Sequence, residues 1–341
     1  MRQELAARDF GSPESMENAG ILDVFPVFHT VPVGQKIHCP AADELFRVSL
    51  IRIANSHRNV NEPLQVGKNF DTIAEKKMAG EKMNSDYIAV FDSGVGGISV
   101  LRRLLQVMPE ERYIYYGDSA NAPYGVRPTE EVRQLVLAAG ARLMERGIKA
   151  LVVACNTATA VAIDILRQTY PNTVIIGIEP ALKVAVDHFP HGRIGVLATP
   201  VTLSGEKFQQ LSHRFDGNCQ ISSILAPGLV ELVESGKANS PESEGLLRPL
   251  LTPYIGKLDA LVLGCTHYPF AAPTIAKILG SGTRLYDGGE GTARETKRRL
   301  AEAGLLHSGK GKVIIENSLP TPEIIARSIG LIEENWEVNY G

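Results

Sequence analysis

Two of the four cysteines lie in sequence surroundings that could support chemistry. Cys155 and Cys265 are 110 residues apart, and each follows a short apolar run, 149–154 in the first case and 259–264 in the second. A thiol of ordinary pKa, about 8.5, becomes a base once its neighbours stabilise the thiolate. Two thiols on opposite sides of a cleft could remove a proton from one face of a substrate and deliver one to the other. The repeated pattern therefore indicates two-base proton transfer.

Polar residues follow each cysteine directly. Asn156 and Thr157 come after the first, and Thr266 and His267 come after the second. These side chains can donate hydrogen bonds to an anionic substrate, and an imidazole beside Cys265 would favour its thiolate. A structural histidine is the competing interpretation of His267.

A glycine-rich segment, 92–97, follows the first convincing strand and precedes a helix. Such a turn can bind an anion through backbone N–H groups, although glycine can also serve turn geometry alone. The spacing is neither that of a dinucleotide fingerprint nor that of a P-loop. Asp92 could bind an ammonium group or assist proton transfer, and Ser93 could bind a carboxylate. The segment therefore suits a small zwitterion.

Other interpretations of the cysteines remain open. A free cysteine is often a small buried hydrophobe. A disulfide is disfavoured in the cytosol. Cys155, Cys265 and His267 could supply three metal ligands, but no Cys-x-x-Cys pair supports a metal site. Cys39 and Cys219 lie outside the repeated pattern and are interpreted as structural.

Length and composition limit the classes of protein that fit. A chain of 341 residues predicts about two domains. The net charge of -3 gives no reason to expect a nucleic-acid or anionic-membrane partner. No apolar run approaches the roughly 18 residues of a membrane span, and residues 1–10 lack a signal-peptide core. We expect a soluble, cytoplasmic protein.

Strands alternate with helices from residue 87 onward, which predicts an α/β fold of parallel βαβ units. The apolar runs before the cysteines have the composition of buried strands, and ligands bind at the carboxyl ends of such strands. The strand-turn ending at Asp92 recurs at Thr199, 107 residues later. A repeat of this length indicates a duplicated domain rather than a solenoid. Thr129 is predicted to cap a helix over 130–146.

Four segments together resemble the glutamate racemases of the aspartate/glutamate racemase superfamily. They are Asp92-Ser93-Gly94-x-Gly96-Gly97, Pro123-Tyr124-Gly125, Cys155-Asn156-Thr157-Ala158-Thr159 and Gly264-Cys265-Thr266-His267-Tyr268-Pro269. The resemblance implies an isomerase that interconverts L- and D-glutamate without a cofactor or a metal and supplies D-glutamate for peptidoglycan. It also implies two pseudo-symmetric parallel-sheet domains with the active site in the cleft between them.

The resemblance assigns roles by position. Cys155 corresponds to the base toward D-glutamate and Cys265 to the base toward L-glutamate, while Asp92, Glu234 and His267 correspond to supporting acid/base groups. The substrate-binding positions are Asp92, Ser93, Tyr124, Gly125, Asn156, Thr157, Thr266 and His267. Glu234 is the weakest assignment, because the family's Val-Pro-Leu-Val-Glu reads Val230-Glu231-Leu232-Val233-Glu234 here. Glu234 is preferred to Glu231 by its distance to Cys265.

The predicted domain organisation has three parts. Residues 1–84 form an irregular or partly disordered extension, residues 85–181 with 292–341 form the first racemase domain, and residues 182–291 form the second. Glutamate is the expected partner, and a homodimer is left open as the assembly. The alternatives are a racemase for aspartate or another amino acid, a non-catalytic amino-acid-binding protein and, least favoured, a metal-dependent hydrolase.

Overall fold

Strands and helices alternate along the part of the chain that this computed structural model describes, residues 49–51, 86–215 and 217–333. The strands are β1 Ser49–Ile51, β2 Tyr87–Asp92, β3 Arg112–Gly117, β4 Ala150–Val153, β5 Val174–Gly177, β6 Arg193–Ala198, β7 Gln220–Leu225, β8 Ala260–Gly264, β9 Arg284–Asp287 and β10 Lys312–Asn317. The helices are α1 Ile98–Val107, α2 Thr129–Met144, α3 Asn156–Thr169, α4 Leu182–His188, α5 Pro200–Ser204, α6 Glu206–His213, α7 Leu229–Glu234, α8 Pro241–Leu251, α9 Ala272–Leu279, α10 Gly289–Glu302 and α11 Pro322–Glu333.

The strands form two sheets, of six and four strands, and four strands of the larger sheet repeat the order of the smaller one. The first sheet is ordered β1-β10-β3-β2-β4-β5 and the second β7-β6-β8-β9. Four strands of each sheet therefore follow one scheme, β3-β2-β4-β5 matching β7-β6-β8-β9, and within both sets all pairs are parallel. We call the first sheet with its helices the first half and the second sheet with its helices the second half. The predicted α/β fold with pseudo-symmetric parallel sheets is confirmed.

The central strands are buried because helices cover both faces of each sheet. In β2, residues 88 and 90 belong to one apolar cluster, and residues 89 and 91 belong to the cluster on the opposite face. The side chains of β4 and β8 are buried along their whole length. Such two-sided burial explains why these strands read as continuous apolar runs. By contrast, β7 at the edge of the second sheet is largely exposed.

The chain returns to the first sheet near its end. After β9 and α10, strand β10 pairs in parallel with β3. Both sheets belong to one compact unit, so the domain boundaries predicted near residues 181 and 292 stay predictions. The predicted extension, 1–84, lies outside the described residues apart from β1, as does Cys39. Strand β1 pairs antiparallel with β10 at the sheet edge, where parallel sheets tolerate a reversed strand.

One local prediction is wrong. Helix α2 begins at Thr129 with Pro128 as its N-cap, and no side chain caps it. Pro128 has φ -55° and ψ 136°, so it lies just outside the helix, and its side chain has no oxygen that could accept a hydrogen bond from the first turn. None of the helices within the described ranges is long and apolar enough to span a membrane.

Candidate functional site

The two cysteines lie at equivalent strand ends in the two halves. Strand β4 ends two residues before Cys155, and β8 ends directly before Cys265. Both thiols are buried, with 5% and 8% of each residue exposed. Cys155 also caps α3, since its Sγ accepts a hydrogen bond from the Ala158 N–H at 3.4 Å. The sheets therefore bring both thiols to the carboxyl edges where open α/β folds bind ligands.

Cys155 lies in surroundings that keep it protonated. Its Sγ donates to Ser93 Oγ at 3.6 Å. Burial raises the pKa of this thiol to about 12, and the nearby Asp92 carboxylate acts in the same direction. The hydrogen bonds from Ala158 and with Ser93 offset this only in part. At neutral pH Cys155 is therefore a proton donor in this structure.

Cys265 lies beside a charged pair instead. The Nδ1 atom of His267 is 3.7 Å from Cys265 Sγ, and its Nε2 atom is 2.7 Å from Glu234 Oε1. Burial opposes protonation of His267, but the hydrogen bonds with Cys265 and Glu234 outweigh it and raise its pKa well above the usual value. Burial likewise opposes ionisation of Glu234, but its bond with His267 lowers its pKa overall. An imidazolium thus lies next to the second thiol.

Glu234 reaches the site from the end of α7. Val233 packs into an apolar cluster of the first half, which seats the helix end there. Glu234 Oε1 also accepts a hydrogen bond from the Val95 N–H at 2.8 Å, in the glycine-rich turn. Glu231, the other candidate, is exposed on the same helix. The geometry therefore places Glu234, and not Glu231, beside His267.

Asp92 is fully buried at the end of β2 and connects the two halves. Its Oδ2 accepts from the Gly94 N–H at 3.0 Å, and its Oδ1 accepts from Thr266 Oγ1 at 2.9 Å. Burial raises the pKa of this carboxyl group, while the nearby positive charge of His267 opposes the rise. Ser99 Oγ lies 3.0 Å from the Thr266 carbonyl oxygen and adds a second contact to the same loop. The loop after β8 is therefore held from the first half.

A second connection between the halves involves a residue that sequence reasoning did not assign to the site. Thr157 Oγ1 lies 3.0 Å from Thr199 Oγ1. Gly125 approaches the same threonine so closely that a Cβ there would lie 2.7 Å from Thr199 Cβ. Thr199 occupies the place of Asp92 in the second half. The sequence repeat identifies Thr199 as the counterpart of Asp92. Its contact with Thr157 is visible only in the folded structure.

Both thiols border one cavity between the two halves. From the first half the predicted lining residues are Ser93, Tyr124, Gly125, Cys155, Asn156 and Thr157, and from the second they are Cys265, Thr266 and His267. Pro123, Thr199 and Val230 complete the lining. Asp92 and Glu234 contact lining residues from behind. The structure thus brings together the residues predicted to be catalytic or substrate-binding.

One polar atom of the lining has no partner within the described residues. Asn156 Oδ1 is buried without a hydrogen bond. A buried acceptor of this kind costs free energy unless a ligand or water supplies a donor. The same ranges contain no group of three or more His, Cys, Asp or Glu side chains arranged to hold a metal ion.

Comparison with known proteins shows the family of this chain. The family model of Asp/Glu/Hydantoin racemases matches residues 93–296, which include all the residues of the site except Asp92. A glutamate racemase of Clostridium botulinum is 45% identical over 251 residues, covering 73% of this chain and 97% of the relative. The chain belongs to the glutamate racemase family. The resemblance drawn from the four sequence segments is thereby confirmed.

Solved structures of the glutamate racemase family share the fold. The enzyme of Francisella tularensis in complex with D-glutamate has a TM-score of 0.65 and 27% identity, covering 73% of this chain and 94% of that one. The enzyme of Escherichia coli in complex with L-glutamate and the activator UDP-MurNAc-ala has a TM-score of 0.63 and 32% identity, covering 73% of this chain and 95% of that one.

Proposed function

We propose that this protein is a glutamate racemase in which one of the thiols of Cys155 and Cys265 removes the α-proton of the substrate and the other donates its own proton to the opposite face. The observation that carries the proposal is that both thiols border one cavity, each from the end of a strand in a different sheet. Relatives hold L-glutamate in one solved structure and D-glutamate in another, which supports glutamate as the substrate.

In the direction from L- to D-glutamate, the Cys265 thiolate is the base. The His267 imidazolium stabilises it from 3.7 Å, and the Glu234 carboxylate keeps that imidazolium charged. The thiolate takes the α-proton of L-glutamate, and the electron pair of the broken C–H bond becomes a carbanion conjugated with the substrate carboxylate. The protonated thiol of Cys155 then donates its proton to the opposite face, which forms the new C–H bond of D-glutamate.

The reverse reaction starts from the opposite protonation state. After one turnover, Cys155 is the thiolate and Cys265 carries the proton, so the enzyme is ready for D-glutamate. Burial raises the pKa of Cys155, and a substrate ammonium group in the cavity opposes that effect because it brings positive charge close to the thiolate. The unpaired Asn156 Oδ1 is a suitable acceptor for that ammonium group.

The proposal extends to the cellular role expected of the family. D-Glutamate is a building block of peptidoglycan, so the protein would work in the cytoplasm and supply D-glutamate for cell-wall synthesis. Neither a cofactor nor a metal takes part in the proposed steps.

The deciding experiment is a racemisation assay of the purified full chain in D2O. The protein is dialysed against a chelator, mixed with L- or D-glutamate, and analysed by chiral chromatography and mass spectrometry. We expect each inverted molecule to carry one deuterium at Cα. Aspartate, alanine and glutamine serve as comparison substrates. Binding of glutamate without α-proton exchange would favour the non-catalytic alternative, and faster racemisation of aspartate would reassign the substrate.

A further inference from the structure

Asp118 is a buried carboxylate at the edge of the site that the proposed proton transfers do not use. It directly follows β3, and only 4% of it is exposed. Its backbone N–H donates to the Asp92 carbonyl oxygen at 2.9 Å, which continues the β2–β3 pairing by one hydrogen bond. Asp118 is thereby fixed to the strand end that carries Asp92.

The carboxylate of Asp118 is the hydrogen-bonding centre of the loop that leads to the cavity. Tyr124 Oη donates to Asp118 Oδ2 at 2.5 Å. Asn121 Nδ2 lies 3.1 Å from each of the two carboxylate oxygens, and the Asn121 backbone N–H donates to the Asp118 carbonyl oxygen. The Tyr124 ring also packs on Phe91 of β2, with centroids 6.4 Å apart. Both ends of the Tyr124 side chain are therefore tied to the first sheet.

The Tyr124 hydroxyl is committed to this contact. Burial raises the pKa of the phenol far above its usual value, and the hydrogen bond to Asp118 adds to the rise. The hydroxyl therefore keeps its single proton and donates it to Asp118, so it cannot donate that proton to a substrate at the same time. Tyr124 lines the cavity while its hydroxyl stays bonded to Asp118.

We propose that Asp118 is a positioning residue that fixes the Tyr124–Gly125 wall of the substrate cavity, with the Tyr124 hydroxyl as the anchor of that wall and not as a substrate ligand. This inference rests on the proposed function. The wall meets the second half where Gly125 packs on Thr199. A shift of the wall would therefore change the shape of the cavity, while the two thiols stay held by β4 and β8. Loss of the anchor should weaken substrate binding more than it slows proton transfer.

The test is a double-mutant cycle on the anchor. The variants are Asp118→Ala, Tyr124→Phe and the double substitution, with Asp118→Asn as the conservative variant. Tyr116→Phe is the matched control, because Tyr116 also packs on Phe91 but does not border the cavity. We measure KM and kcat for both enantiomers, and the dissociation constant of D-glutamate by calorimetry.

We expect Asp118→Ala and Tyr124→Phe each to raise KM and the dissociation constant about tenfold or more, because each removes a hydrogen bond to a charged group. The double variant should resemble Asp118→Ala alone, because both substitutions break one interaction. Asp118→Asn keeps an acceptor for the tyrosine and should recover most of the binding, and kcat should change by less than about threefold throughout.

The outcomes separate this inference from the proposed function. Additive effects in the cycle would show that Tyr124 acts on the substrate independently of Asp118, and normal binding by Tyr124→Phe would show that the hydroxyl anchors nothing. Either result overturns the inference while the wild-type protein still racemises glutamate. Should Asp118→Ala fail to fold, Tyr124→Phe alone decides: a raised KM and dissociation constant with kcat nearly unchanged support the anchor, and normal binding overturns it. A wild-type protein that neither racemises nor binds glutamate would overturn the proposed function, and the inference with it.

Discussion

Cys265 Sγ and His267 Nδ1 lie 3.7 Å apart, whereas within the described residues the thiol of Cys155 contacts Ser93 Oγ and the Ala158 N–H and no comparable cation. The two thiols thus lie at equivalent strand ends but in different electrostatic surroundings. Such asymmetry fits a reaction in which one sulfur is protonated at the start and the other is protonated at the end.

Thermodynamics limits how this asymmetry can appear in kinetics. The two enantiomers have equal free energy in water, so kcat/KM must be the same in both directions for the wild type and for every variant. A residue that assists only one thiol can change kcat and KM by different factors for L- and D-glutamate. The value of kcat/KM for L-glutamate must nevertheless stay equal to the value for D-glutamate. Each kinetic prediction below therefore applies to kcat/KM in both directions.

Replacement of either site thiol should abolish full turnover. We expect Cys155→Ser and Cys265→Ser each to lower kcat/KM by at least about 10³-fold, because a serine hydroxyl is a far weaker acid than a thiol. Cys219→Ser is the matched control, since this half-buried thiol donates to the Phe189 carbonyl oxygen away from the cavity. Chiral chromatography after long incubation gives the rates. Normal racemisation by either single variant would contradict the two-thiol mechanism.

Glu234→Gln should move the alkaline limb of the pH profile. The carboxylate is one of two partners that raise the pKa of His267, so its loss lets His267 release its proton at lower pH. If the imidazolium supports Cys265, kcat/KM should fall about 10²-fold at pH 8 and less at pH 6.5. Glu231→Gln, an exposed change on the same helix, should leave the profile unchanged. A Glu234→Gln profile that is lowered equally at all pH values would argue against this role.

Gly94→Ala should damage the site and leave the fold intact. A Cβ at Gly94 would overlap Glu234 Oε1, so the carboxylate would have to leave the Val95 N–H and His267. We expect kcat/KM to fall about tenfold or more with little change in the melting temperature. Gly245→Ala is the control, because a Cβ there meets nothing within 4 Å, and alanine in a helix interior should stabilise by about 0.5–1 kcal/mol. Full activity of Gly94→Ala would show that the position of Glu234 is not critical.

The elements that carry the thiols were predictable because their sequence signal is local. Burial on both faces requires apolar residues along β4 and β8, and the first polar residues mark the strand ends where Cys155 and Cys265 lie. The duplicated order of the strands followed from the repeat. These features depend on neighbours in the sequence, so a single chain reveals them.

Contacts between the halves could not be predicted in this way. The hydroxyl pair of Thr157 and Thr199 joins residues 42 apart, and the bond of Thr266 to Asp92 joins residues 174 apart. Threonine is common at strand ends and helix starts for local reasons, so its type alone does not indicate a distant partner. Sequence distance to Cys265 favours Glu234 over Glu231, whereas the physical reason is that α7 ends against the first half.

A buried ion pair at the amino-terminal ends of β3 and β4, away from the site, should affect stability and not activity. Lys149 Nζ lies 2.6 Å from Glu111 Oε2, as a close ion pair and not a well-aligned hydrogen bond, and both side chains are at most 4% exposed. The lysine also donates to the Leu305 carbonyl oxygen at 2.7 Å, which fastens the segment that returns the chain to β10. Lys149→Met leaves Glu111 buried without its cation and should cost about 3–5 kcal/mol in urea unfolding. Arg193→Met removes the more exposed ion pair with Asp259 at the amino-terminal ends of β6 and β8. This change should lower the free energy of unfolding far less. Racemisation per folded molecule should be unchanged in both variants, and a specific loss of activity in Lys149→Met would contradict a purely structural role.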